Sequence, residues 1–380
     1  MRFDFATAGR IAFGEGRLAD VAPAAARLGH RALLVTGSSK ERAAPLLAKI
    51  VAATTIAVTG EPTIEFIRAG AEAARDERCD LVIALGGGSV IDSGKAFAAM
   101  LANPGEPLDY LEVIGAGRPL AHPAAPCIAI PTTAGTGSEV TRNAVLASPA
   151  HRVKASLRSA WMLPALAVVD PELTHGLPRT LTASTGLDAL TQLIEPYVST
   201  RANSMTDLFC IEGMRHAATA LPRAFENGGD REARASMSWA SLLGGLALAN
   251  AGLGAVHGFA APLGGMFPIP HGAACAAVLP HAVEINIRAL REREPESRAL
   301  GRYEEVARIL TGRPQATAAD GARWLGMLCR RLEVPALRTY GVTETDIPAL
   351  AEKAARASSM QANPIKLTRE ELEETVSRAL

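Results

Sequence analysis

Two histidines and an aspartate carry the most specific chemistry in this chain. His257 and His271 stand fourteen residues apart in the run from Gly254 to Pro280, GAVHGFAAPLGGMFPIPHGAACAAVLP, with a Gly- and Pro-rich bend between them. Upstream, TGLDALTQLIE carries Asp188 among the apolar residues Leu187, Leu190 and Leu193. Asp188 and Gln192 are four residues apart, so they share one helical face. A single aspartate in a helix is usually solvated, and a single histidine is more often packed than ligating. Together, one carboxylate and two imidazoles make a sound site for a first-row divalent metal, with water or a substrate oxygen completing it. His281, ten residues past His271, is a further candidate to line such a cleft.

Helices must position these groups. Helical patterns are expected at 180–198, 203–221, 231–251, 253–264, 271–287, 301–311, 316–332, 344–356 and 368–379. Pro270 can start the helix that His271 enters on its first turn. The small neighbours of His257 in GAVHGFA let other backbone come near.

The first half has a different rhythm. Residues 3–14 suggest one or two short strands, and a helix from about 17 to 28 follows. Short apolar runs then end in turn residues: RALLVT at 31–36, TTIAVT at 54–59, LVIAL at 81–85, CIAI at 127–130 and 166–169 before Asp170-Pro171. Helix patterns at 65–77 and 89–101 lie between some of them. Strand, turn, helix, strand is the signature of a parallel sheet covered on both faces. In such sheets ligands bind outside the carboxyl ends of the strands. There the chain places GGGSVIDSGKA (86–96), whose glycines let backbone N–H groups approach a pyrophosphate. Ser89 is expected to cap the next helix, with Asp92 in its first turn. PTTAGTGSE (131–139) is a second loop able to wrap nicotinamide and phosphate oxygens. After the second strand, Thr36-Gly37-Ser38-Ser39-Lys40 offers hydroxyls and a cation and contains no acid to repel a 2′-phosphate, with Arg42 close by. That leans towards NADP(H) over NAD(H).

The composition sets limits. Lys+Arg and Asp+Glu are both 39, so no basic excess points to nucleic acid. Hydrophobic residues at 48% and charged residues at 21% are ordinary for a globular protein, and 380 residues suggest two domains. Cys79, Cys127, Cys210, Cys275 and Cys329 are scattered and form no CxxC pair, so buried free thiols in a reducing compartment are expected. The N-terminus lacks an apolar signal-like run, and the apolar stretch near 240–251 reads as a buried helix. The expected location is cytoplasmic, without membrane or nucleic-acid partners, and the expected assembly is a homo-oligomer, a dimer.

GGGSVIDSGKA, PTTAGTGSE, Asp-Pro-Glu-Leu, GLDALTQLIE and HGFAAPLGG…PIPHGAACAAVLPH together resemble the iron-containing (group III) alcohol dehydrogenase family over nearly the whole chain. The resemblance implies a Rossmann-like α/β domain at 1–167 and an all-helical metal- and substrate-binding domain at 168–380. This is the architecture shared with dehydroquinate synthase, with the active site between the domains. It implies that Gly87, Gly88, Ser89, Thr132, Thr133, Thr136 and Lys154 contact the cofactor, beside Gly37 and Ser38. It also implies that Asp188, His257 and His271 hold the metal, Fe(II) or Zn(II), and carry the catalysis. Two positions depart from the pattern. The family's metal-binding histidine four residues after the aspartate is Gln192 here, and a glutamine can ligate through its carbonyl oxygen. The family's proton-relay histidine is Ala261 here. The expected activity is NAD(P)-linked, metal-assisted interconversion of an alcohol and an aldehyde or ketone. The alternatives are a maleylacetate-reductase-like or dehydroquinate-synthase-like enzyme, for which Arg142, Lys154 and Arg158 are candidate carboxylate binders, or a non-catalytic dinucleotide-binding relative.

Overall fold

The computed structural model describes residues 2–38, 44, 46, 48–50 and 52–380. By contact the chain divides into a unit of Phe5–Thr133 with Gly137–His175, and a unit of Gly176–Leu380 with Met1–Asp4 and Ala134–Thr136.

The first unit is built on a six-stranded sheet of β1 (Ile11–Phe13), β2 (Ala32–Thr36), β3 (Ala52–Ala57), β4 (Leu81–Gly86), β5 (Cys127–Pro131) and β8 (Leu166–Val169). The spatial order is β1-β8-β5-β4-β2-β3, and every pair is parallel. Alternation assigns the two faces. Leu33, Val35, Val82 and Ala84 pack on one side with α2 (Ile64–Asp76) and α3 (Gly88–Ala102). Leu34, Ile83, Leu85 and Ile130 pack on the other with Val21 and Ala25 of α1 (Val21–Leu28). Covering both faces explains why these strands read as unbroken apolar runs. β3 lies outside β2 while β4 lies inside it, so the connections reverse direction between β2 and β4. That reversal is a switch point, where open α/β sheets place their ligands.

Beyond the sequence expectations there is an antiparallel hairpin, β6 (Asn143–Ser148) and β7 (Val153–Arg158), against α3. Its turn carries Arg152 at φ 49, a left-handed position held by a non-glycine residue.

The second unit is helical: α4 (Arg179–Val198), α5 (Ser204–Glu226), α6 (Arg231–Ala251), α7 (Ala255–Met266), α8 (His271–Arg293), α9 (Arg298–Thr311), α10 (Ala318–Arg331), α11 (Ile347–Arg356) and α12 (Arg369–Ala379). α4 is the axis of this unit. Every residue from Gly186 to Val198 is buried, and α5, α6 and α8 pack around it. α6 and α7 meet at 98° across a short break. Gly252 makes the turn at φ 73, which a side chain would strain. By length and composition α8 could cross a membrane, but 78% of its apolar window is buried inside the protein.

Candidate metal centre and cofactor loops

The helical unit brings the sequence-predicted ligands together. Asp188 sits in the middle of α4, His257 in the first turn of α7 and His271 at the start of α8, after Pro270. Asp188 Oδ1 lies 3.3 Å from His257 Nε2 and 3.8 Å from His271 Nε2. Two ligands at about 2.0–2.1 Å from a tetrahedral cation stand about 3.3–3.4 Å apart, so one ion can serve all three atoms after small adjustment. Asp188 and His257 are buried, whereas the His271 side chain is 35% exposed, leaving the cluster open on that side.

The pattern of unpaired atoms tests whether a cation fits. Asp188 Oδ1, His257 Nε2 and Gln192 Oε1 are all buried without a hydrogen-bond partner. Buried polar atoms are rarely left so, because each costs about 1–3 kcal/mol. A divalent ion would satisfy them, and the donor set suits one. Burial pushes the Asp188 carboxyl up, but His271 and then His257 outweigh that and hold it below its usual value. Burial opposes charging His257, yet Cys275, Glu195 and Asp188 hold its imidazole well above the usual value. The cluster therefore attracts positive charge.

Glu195 was missed as a functional residue in the sequence, although it lies two turns beyond Asp188 in an otherwise apolar run. Its Oε2 accepts from His257 Nδ1 at 2.6 Å and its Oε1 accepts from Val256 N at 2.7 Å. One carboxylate thus caps α7 and orients the imidazole through Nδ1, so that Nε2 is the ring nitrogen turned to Asp188 and open to a metal. Asn363 Oδ1 accepts from Ala255 N at 3.0 Å and is itself held by Asn286. Glu195→Gln can keep the bond to Val256 N, but it then presents an amide donor to His257 Nδ1 and moves the ring proton to Nε2. Metal affinity is expected to fall about 10- to 100-fold. A chelator-competition titration checks this, and wild-type affinity would reduce Glu195 to a helix cap.

Three expectations need correction. His281 lies about 15 Å further along α8, in a separate groove with Glu284 and Arg378. Ser89 is not a cap: α3 starts at Gly88 with Gly87 as N-cap, and no side chain caps it. The Ser89 carbonyl instead accepts from Ser93 Oγ at 2.7 Å. Nor does Asp92 merely face the helix dipole. It accepts from Val145 N at 2.9 Å and from Ser138 Oγ, and pairs with Lys95 at 3.1 Å. Lys95, fully buried, also donates to Ser138 O at 2.9 Å and Thr141 Oγ1 at 2.9 Å. This network ties the end of the second loop and the residues after it to α3. Burial pushes Glu139 at the end of that loop up to about 7.

Gly37 and Ser38 follow β2, Gly87, Gly88 and Ser89 follow β4, and Thr132 and Thr133 follow β5. These strands are neighbours, so the three loops share one edge, and the first two flank the switch point. Thr136 groups with the helical unit. Lys154 lies on β7, buried, with its ammonium 3.0 Å from Glu61, and Arg158 pairs with Glu112 at 3.0 Å. Lys40 and Arg42 lie outside the described residues. Ala261 is one turn after His257 on α7, and its methyl group can carry no proton.

Residues 8–171 match the family model described as iron-containing alcohol dehydrogenase. Residues 182–380 match that of the Fe-containing alcohol dehydrogenase family, C-terminal. Alcohol dehydrogenase 4 of Schizosaccharomyces pombe is 37% identical over 85% of this chain and 74% of its own. NAD-dependent methanol dehydrogenase of Bacillus methanolicus is 35% identical over 84% of this chain and 82% of its own. The crystal structure of a 1,3-propanediol oxidoreductase superposes with a TM-score of 0.90 at 33% identity, covering 100% of both chains. The chain belongs to the iron-containing alcohol dehydrogenase family. It is an alcohol oxidoreductase that uses NAD(P) and a bound metal on a small-molecule alcohol. These relatives do not favour the maleylacetate-reductase-like, dehydroquinate-synthase-like or non-catalytic alternatives.

Proposed function

We propose that Asp188, His257 and His271, with the Gln192 carbonyl beside them, hold Fe(II) or Zn(II). The observation that carries this reading is the set of three buried, unpartnered atoms at Asp188, His257 and Gln192. When bound, such an ion supplies Lewis acidity to the oxygen of an alcohol or carbonyl substrate. A nicotinamide cofactor held at the sheet loops would supply or accept the hydride of that conversion. Glu195 fixes the His257 ring, and His271 marks the open side of the cluster. Alanine at 261 cannot relay the substrate proton, which would pass to water or to a ribose hydroxyl of a bound cofactor.

On the sheet, Gly87, Gly88 and Ser89 present the α3 N-terminus to the pyrophosphate. Thr132, Thr133 and Thr136 serve the nicotinamide half, with Lys154 as a further contact. Thr36-Gly37-Ser38 puts no carboxylate at the end of β2, which supports NADP(H) over NAD(H). The five buried, unpaired cysteines support a reducing, cytoplasmic compartment.

The test is turnover of an aldehyde and alcohol panel by protein loaded with iron or zinc, followed at the reduced-nicotinamide absorbance with each cofactor. Metal-dependent reduction with a higher kcat/KM for NADPH is expected. Metal-loaded protein inert across the panel defeats the activity, and a higher kcat/KM for NADH defeats the cofactor preference.

A further inference from the structure

The cluster contains a fourth donor outside the ligand set just proposed. Cys275 lies one turn after His271 on α8, so the two side chains share a face. It is completely buried, and its Sγ is 3.8 Å from His271 Nε2. One donor atom each from Asp188, His257, His271 and Cys275 falls within 4.8 Å of the other three. A nitrogen at about 2.0–2.1 Å and a sulfur at about 2.3 Å from a tetrahedral centre stand about 3.5–3.6 Å apart, close to the separation seen here.

The other cysteines lie elsewhere: none of Cys79, Cys127, Cys210 and Cys329 belongs to the cluster. A small apolar residue would fill the position of Cys275 among the alanines of α8 without bringing sulfur to two imidazoles and a carboxylate.

Charge does not oppose a thiolate. Gln192 is neutral, so Asp188 is the one anion of the proposed ligand set that would touch a divalent ion, while Glu195 acts on it only through the His257 ring. Binding releases the thiol proton to solvent as the sulfur–metal bond forms, because a coordinating thiol is deprotonated outright.

We propose that Cys275 is a thiolate ligand, and that the resulting Asp188–His257–His271–Cys275 shell selects zinc over iron(II). The proposal rests on the metal-dependent reading above. Sulfur favours zinc, whereas a shell of imidazole, carboxylate and amide oxygen discriminates less.

Cobalt(II) substitution of the full-length, metal-stripped protein tests this without an activity readout. Visible d–d bands report an ion in the site, and a near-ultraviolet sulfur-to-cobalt charge-transfer band reports the thiolate. The wild-type protein is expected to show both. Cys275→Ser is expected to lose only the charge-transfer band and to bind zinc more weakly than the roughly 10- to 100-fold loss typical of an orienting partner. Gln192→Leu is expected to keep the band. Cobalt bound by the wild-type protein without the band overturns the thiolate alone, and so does a band that persists in Cys275→Ser. No bound cobalt at all overturns the metal reading as well. Should Cys275→Ser fail to fold, the wild-type spectrum still decides.

Discussion

Asp188→Ala is expected to lower kcat/KM about a thousandfold or more while the protein stays folded. Asp188 Oδ1 is the atom common to the close approaches of His257 and His271. It is also the one carboxylate oxygen of the cluster left unpartnered. Removing it takes away the hard anionic donor of the site. A Lewis acid contributes several kcal/mol to such a reaction, and each ~1.4 kcal/mol is tenfold in rate. The fold tolerates the change, because alanine is the best helix former and position 188 lies mid-helix. A buried charge disappears with it. The second readout is thermal. Metal at about a hundred times its Kd stabilises the native state by ~2.7 kcal/mol, or roughly 5–10 °C for a unit of this size. That metal-dependent increment should be present in the wild type and absent in Asp188→Ala. Full metal occupancy together with an unchanged increment would show that Asp188 is not a ligand.

Much of this architecture was legible because burial and backbone chemistry repeat locally. The sheet strands appear as apolar runs ended by Gly, Pro or Thr, and the helical unit as long periodic segments. Long-range packing overrode local signals elsewhere. Pro222 reads as a stop, yet α5 runs through it to Glu226, because Ala224 and Phe225 are buried beyond it. The hairpin of β6 and β7 was hidden because its turn, with Pro149 and Arg152, lacks the Asn-Gly or Gly-Gly chemistry that announces a tight connection.

The site shows the same division. Asp188, His257 and His271 were readable as a set because they carry uncommon residue types in apolar or glycine-rich surroundings. Glu195 was not, since a lone acid on a helix resembles a solvated one. Only the fold shows it capping α7 and gripping His257. Cys275 was hidden among scattered thiols, and spacing within α8 says nothing of a carboxylate on α4. Ser89 misled because Ser is a common N-cap, whereas the helix takes Gly87, two residues earlier, as its N-cap.

Gly272→Ala is expected to weaken metal binding about a hundredfold with only a modest change in melting temperature. A methyl group on residue 272 would stand 2.5 Å from the Ser184 carbonyl oxygen and 2.8 Å from its carbon. Those are backbone atoms of α4, so no side chain can swing aside and the start of α8 must move away. The overpacking costs about 1–3 kcal/mol, and replacing a helical glycine returns up to about 1 kcal/mol. Stability therefore changes little. The site fares worse, because the residue displaced beside Gly272 is His271, with Cys275 one turn on, while Asp188 stays on α4. A misplacement of about 1 Å can cost about a hundredfold in a geometry-dependent interaction. Gly301→Ala, on α9 with open space around its added methyl, is the control and should bind zinc normally. Zinc competition and melting curves on both variants separate the effects. Wild-type zinc affinity in Gly272→Ala would mean that the α4–α8 approach does not set the metal geometry. A loss confined to Gly272→Ala would make this glycine, beside a ligand but ligating nothing, the residue that brings the carboxylate and imidazole helices close enough to share an ion.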